Sequence, residues 1–191
     1  MQLDGLKVAV LVTDGYEPSE LTEPMRALRE AGAEPTIVSD HAGTIRGKTD
    51  ADIADVDLTL DAARPDDYAA LLLPGGVKNP DTMRQNERGV AFVRHFADAG
   101  KPIAAICHAP WMLVEADVVR GRRVTSYPSL RTDLRNAGAD WVDEEVVTDR
   151  GLVTSRTPKD LPAFNAKMVE EFGEGVHEQA ATGTSTDSRS R

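Results

Sequence analysis

The stretch Pro102-Ile-Ala-Ala-Ile-Cys-His-Ala-Pro110 carries the strongest structural information in the chain. It opens on an apolar run with no polar alternation, the pattern of a strand covered on both faces. That run leads directly into Cys107 and His108, and a helical stretch follows over residues 109–116. The same unit recurs upstream. Lys7-Val-Ala-Val-Leu-Val12 precedes a helical stretch over 17–31, rich in Glu, Leu, Met and Arg and closed by Gly32. Residues 34–39 read as a second strand. Ala69-Ala-Leu-Leu-Leu73 is another buried strand and ends in Pro74-Gly75-Gly76. Helix 87–99 then places Val90, Val93, Phe96 and Ala97 on one face and stops at Gly100.

Beyond Cys107 the pattern continues with short strands near Val124 and Val146, a helix over 130–137, a strand over 152–154 and a last helix over 161–172. Repeated strand–helix alternation predicts an α/β fold, a mostly parallel sheet with helices on both faces. Pro24 conflicts with an unbroken first helix and predicts a kink or a split there. Residues 43–61 read as a hairpin or a pair of short strands. Asp50, Asp52, Asp55 and Asp57 within them form a solvated face, because a calcium loop needs oxygen ligands at fixed spacing around a central glycine.

The chain has 191 residues, enough for one domain with its own core. We read residues 1–172 as that domain and 173–191 as a small, polar tail, expected to be disordered or loosely docked. Acidic residues exceed basic ones, 32 to 22, for a net charge of −10. No basic patch or cationic helix face is present, which argues against nucleic acid or an anionic membrane as partner. No apolar run approaches the ~18 residues of a membrane span. Cys107 is the one cysteine, so an intrachain disulfide is impossible and a reducing, cytoplasmic setting is expected.

In open α/β sheets, sites lie beyond the carboxyl ends of the strands. Three segments occupy such ends: Asp14-Gly15-Tyr16-Glu17, Pro74-Gly75-Gly76 and Cys107-His108. Cys107 sits at a strand-to-helix corner, where helix N–H groups favour a thiolate nucleophile. Its bland reading is a small buried hydrophobe. His108 either steadies the thiol or merely opens a helix. Gly75 and Gly76 either present N–H groups to a developing oxyanion or form a tight turn only. Glu17 either stabilises a helix N-terminus or aims a carboxyl at the sulfur. His41, His95 and His177 form no pair with metal-ligand spacing, so no zinc site is read and no cofactor is called for.

The segments Leu73-Pro-Gly-Gly76, Ala105-Ile-Cys-His-Ala-Pro110, Thr125-Ser-Tyr127 and Asn136-Ala-Gly-Ala-Asp-Trp-Val-Asp143 resemble the PfpI intracellular-protease family of the wider ThiJ/PfpI superfamily. The resemblance spans residues 6–172. It implies a flavodoxin-like, three-layer α/β/α sandwich of the class I glutamine amidotransferase-like kind. It also implies a nucleophile elbow at Cys107 followed by His108, a glutamate matching Glu17 against the cysteine, and an active-site tyrosine matching Tyr127. An acidic residue matching Asp81, within Asn79-Pro-Asp-Thr-Met-Arg84, is implied to reach the site from a neighbouring subunit, so a dimer or hexamer is expected. The chain departs from relatives at Ala109, where glycine is common.

The expected function is that of a stress-protective, cysteine-dependent enzyme acting on small reactive carbonyls or their protein adducts. A peptidase using the same thiol and a non-catalytic redox-sensing chaperone are the alternatives. An amidotransferase is disfavoured, because residues 152–171 lack a histidine and glutamate one residue apart.

Overall fold

A computed structural model describes residues 2–177. The strands are β1 (Lys7–Leu11), β2 (Glu34–Ser39), β3 (Thr44–Arg46), β4 (Ile53–Asp55), β5 (Leu58–Thr59), β6 (Ala70–Leu73), β7 (Ile103–Ile106), β8 (Arg123–Val124), β9 (Asp140–Trp141), β10 (Val146–Asp149) and β11 (Leu152–Ser155). The helices are α1 (Pro18–Glu30), α2 (Lys78–Met83), α3 (Glu87–Asp98), α4 (Pro110–Glu115), α5 (Arg131–Asn136) and α6 (Leu161–Glu174).

Seven strands form the main sheet in the order β10-β11-β7-β6-β1-β2-β5. Every neighbouring pair is parallel except β10 with β11. The central order β2-β1-β6-β7-β11 is that of a flavodoxin-like sheet. The apolar runs follow from double coverage. In β6 and β7 all eight residues are buried, and they alternate between two cores. Leu71, Leu73 and Ala105 pack with Phe92, Val93 and Phe96 of α3 and Leu113 of α4. Ala70, Leu72, Ala104 and Ile106 pack with Leu21, Met25 and Leu28 of α1 and Phe164 and Met168 of α6. Each such Leu or Phe stabilises the fold by about 1.5–3 kcal/mol relative to an exposed one.

Two expectations are corrected here. Pro24 does not split α1; it lies buried within one continuous helix, where packing against the sheet outweighs one missing backbone bond. The last helix continues past Phe172 to Glu174, and the chain through His177 packs against the body, with His177 N–H donating to Gly100 O at 2.9 Å. The rest of the expected tail, residues 178–191, lies outside the described residues.

Candidate active site

The carboxyl ends of β1, β6 and β7 meet at a cleft of about 850 Å³. At its floor is Cys107. Its φ is +64°, in the left-handed region that an L residue occupies only under constraint. Two bonds from distant loops hold it there. The Cys107 N–H donates to Ser155 O at 3.0 Å, and the Cys107 carbonyl accepts from Tyr127 N–H at 2.8 Å. A conformation costing about 1–3 kcal/mol is thus over-determined by its surroundings, and it throws the sulfur toward the cleft. The Thr125–Tyr127 loop that supplies one bond is fixed in turn. Thr125 N–H donates to Thr154 Oγ1 at 2.9 Å and Trp141 Nε1 donates to Ser126 Oγ at 2.9 Å.

Gly75 lies beside the sulfur because nothing larger fits. A Cβ there would overlap a Glu20 carboxylate oxygen and lie 2.7 Å from both Cys107 Cβ and Ile106 O. Gly76 turns with φ +84° and abuts Gly15 O. Asn79, buried at the start of α2, anchors this loop. Its Nδ2 donates to Pro74 O at 2.9 Å and Gly75 O at 3.0 Å, while its Oδ1 accepts from Thr13 N–H at 2.8 Å. One side chain thus locks the end of β6 to the end of β1. The sequence reading missed Asn79 as a positioning residue.

The carboxyl against the sulfur belongs to Glu20, not Glu17. Glu17 caps α1 with extended backbone, so its side chain leaves toward the cleft mouth, 3.7 Å from Lys48 Nζ. Glu20 lies one turn deeper, on the face that packs against the sheet, and has no exposed surface. Its pKa is pushed up to about 8, first by burial and then by the nearby Glu17 charge. The Cys107 thiol and the Gly75 and Gly76 amides bear on this carboxyl and oppose that rise. None meets it with the distance and angle of a formed hydrogen bond, so both oxygens remain without a partner.

The surroundings of the thiol oppose its ionisation. Burial, and next the Glu20 charge, push the Cys107 pKa up to about 12. The amides of Gly76 and His108 pull the other way and do not prevail. A helix of six residues such as α4 supplies too little field to offset the burial of a sulfur this enclosed. Burial thus favours the protonated form of both groups, and ionisation of Cys107 calls for a proton acceptor close by.

His108 follows, with Nδ1 3.2 Å from Cys107 Sγ. Burial lowers its pKa and keeps the imidazole neutral near pH 7. Its Nε2 lies 3.3 Å from Ser129 Oγ, a residue the sequence gave no reason to single out. Tyr127 stacks on the imidazole at 4.6 Å and Trp111 meets it edge-on at 5.2 Å. Asp81 lies exposed on α2 and does not line its own chain's cleft. The cleft mouth mixes Arg46, Lys48 and Lys78 with Asp14, Glu17 and Asp50.

The comparisons with known proteins agree with this geometry. The family model described as "DJ-1/PfpI family" matches residues 6–171. The chain is 46% identical over 169 residues to "Protein/nucleic acid deglycase 2" of Escherichia coli, covering 87% of this chain and 98% of that one. It is 47% identical over 167 residues to "General stress protein 18" of Bacillus subtilis, covering 86% and 96%. Among solved structures, Drosophila melanogaster DJ-1beta superposes with a TM-score of 0.82 at 30% identity, covering 88% of this chain and 91% of that one. An elbow cysteine, its histidine and a buried glutamate on one sheet edge, together with these matches, place the chain in the DJ-1/PfpI family.

Proposed function

We propose that this protein is a cysteine-dependent enzyme that removes small reactive carbonyls and reverses their adducts on proteins, as a deglycase or glyoxalase does. The observation that carries the reading is the pairing of Cys107 with a fully buried Glu20 at the floor of a cleft sized for a small molecule. Relatives named as a deglycase and as a general stress protein support it.

Glu20, once ionised, is the base that takes the thiol proton. The sulfur then adds to the aldehyde carbon of a 1,2-dicarbonyl, or displaces the amine from a hemiaminal adduct. The Gly76 and His108 amides bear on the sulfur and lie beside the carbon it attacks, so they are the donors proposed to take up the charge of the oxyanion that forms. Transfer of a proton from the carbon bearing sulfur to the neighbouring carbonyl carbon, through an enediol, leaves a thioester. Water hydrolyses the thioester to a 2-hydroxy acid and frees Cys107. The reaction consumes dicarbonyl and water only, and the two carbons exchange oxidation level internally. His108, neutral and 3.2 Å from Sγ, is placed to carry the remaining proton.

A second copy of the chain, in a dimer or hexamer, would bring Asp81 toward His108 and orient it. Among the described residues no helix is long and apolar enough to cross a membrane. We propose a cytoplasmic setting, where reactive carbonyls are generated. A peptidase would use the same Cys107–His108 contact. A redox sensor would oxidise the same sulfur and would turn over no carbonyl.

The deciding experiment measures methylglyoxal consumption and lactate formation by the wild type and Cys107→Ser. Stoichiometric lactate that disappears in the variant supports the reading. No lactate above background from the wild type, with peptide cleavage dependent on Cys107, would replace it by the peptidase.

A further inference from the structure

At the opposite rim of the sheet from Cys107, the last turn of α6 places Glu171 and Glu174 beside His177. One donor atom from each lies within 4.8 Å of the other two. His177 Nε2 is 3.4 Å from Glu171 Oε2 and 3.9 Å from Glu174 Oε2. The Glu171 side chain is 8% exposed, and its Oε2 and His177 Nε2 are buried without a hydrogen-bond partner. At 3.4 Å the two atoms are in ion-pair range but form no hydrogen bond, and a buried carboxylate oxygen and imidazole nitrogen left without one are costly.

The imidazole is held in place by the fold. His177 N–H donates to Gly100 O at 2.9 Å, and a Cβ on Gly151 would lie 2.6 Å from the ring. The neighbouring guanidinium groups do not neutralise the two glutamates. Arg122 is bonded to the carbonyls of Asp149 and Arg150, and Arg150 to the Asp149 carboxylate and Gly121 O. Lys167 pairs with Glu170.

We propose that Glu171, Glu174 and His177 form a binding site for a first-row divalent transition cation, best matched by Zn²⁺, that clamps the end of α6 to the sheet. Bonds of about 2.1 Å in a tetrahedral site put neighbouring donors about 3.4 Å apart. The Glu171–His177 spacing has that value, and exposed Glu174 closes its gap by a small side-chain movement. One imidazole and two carboxylates suit zinc better than Mg²⁺ or Ca²⁺, which take six or more oxygen donors. The spacing Glu-x-x-Glu-x-x-His is present in the sequence, but only the helix end and the Gly100 contact bring the three donors together.

The test titrates Zn²⁺ into untagged full-length protein carrying Cys107→Ser, which removes the competing thiol. Calorimetry is compared with the same protein carrying His177→Ala or the near-isosteric Glu171→Gln. One equivalent bound per chain, lost in both variants, supports the site. A Tm raised by about 5–10 °C at a hundredfold excess of Zn²⁺ over its Kd, and unmoved in both variants, is the matching stability result. No binding by the parent, or equal binding in parent and variants, overturns it. Circular dichroism at the start of each titration establishes that the variants are folded, and Glu171→Gln carries the test if His177→Ala is not.

Discussion

Glu20 faces Cys107 past the Gly75–Gly76 backbone, and the two act on each other's protons in opposite senses. The carboxylate charge raises the thiol pKa, while the thiol nearby holds that of the carboxyl down against the rise that burial causes. They titrate as a unit. The first proton is lost near pH 8, from the carboxyl.

The rate of Cys107 alkylation by iodoacetamide, and kcat/KM for methylglyoxal, therefore rise with pH through an inflection near 8. Glu20→Gln removes the inflection and lowers kcat/KM by about 10²-fold or more, the scale of a lost general base. A pH profile unchanged in this variant would show that another group takes the proton.

Glu20 also sets a stability slope. Its folded pKa lies above its unfolded value of about 4.5, so between about pH 4.5 and 8 the folded chain binds more protons than the unfolded one. Stability contributed by the protonated carboxyl is fully present below 4.5 and declines toward pH 8. Urea unfolding at pH 5 and pH 8 should differ by up to a few kcal/mol more in the wild type than in Glu20→Gln.

Asn79→Ala leaves the buried Thr13 N–H without its acceptor and frees the Pro74 and Gly75 carbonyls. We expect a loss of about 1–3 kcal/mol in unfolding free energy. Activity should fall further than the folded fraction does, because the loop carrying the Gly76 amide loosens. Asn79→Asp keeps an acceptor for Thr13 but sets a buried carboxylate oxygen against both carbonyls, and should cost at least as much stability as alanine.

Gly75→Ala should abolish activity, and in folded protein should slow alkylation of Cys107. The added methyl meets Glu20, Cys107 and the Ile106 carbonyl, and that carbonyl belongs to a central strand that cannot retreat. Wild-type alkylation kinetics in this variant would contradict the packing described.

Asp81→Asn tests the subunit arrangement. If a second copy orients His108, this variant lowers kcat while light scattering still reports the oligomer. A monomeric wild type with full activity would remove Asp81 from the site.

The sheet, its strand ends and the elbow were legible because unbroken apolar runs such as 103–106 and 70–73 have few alternatives. Residues Gly75, Gly76, Cys107 and His108 converge as their places at strand ends required. Glu20 was hidden behind Glu17, although a signal existed: positions 20, 21, 24, 25 and 28 form the buried stripe of α1, and Glu20 is the one charged residue in it. The burial of Cys107 is not legible in a corner motif, and here that burial opposes the helix field at the sulfur. Helix α2 escaped notice because Asn79-Pro80 reads as a turn. Asp81 could not be placed, since its expected partner lies in another chain.

The elbow at Cys107 is kept in its unfavourable conformation by Ser155 and Tyr127, which come later in the chain. During synthesis Cys107 therefore emerges from the ribosome as an exposed, ordinary cysteine. The elbow and its surroundings assemble around it only when the last parallel strand docks, so a truncated or half-folded chain lacks the catalytic arrangement.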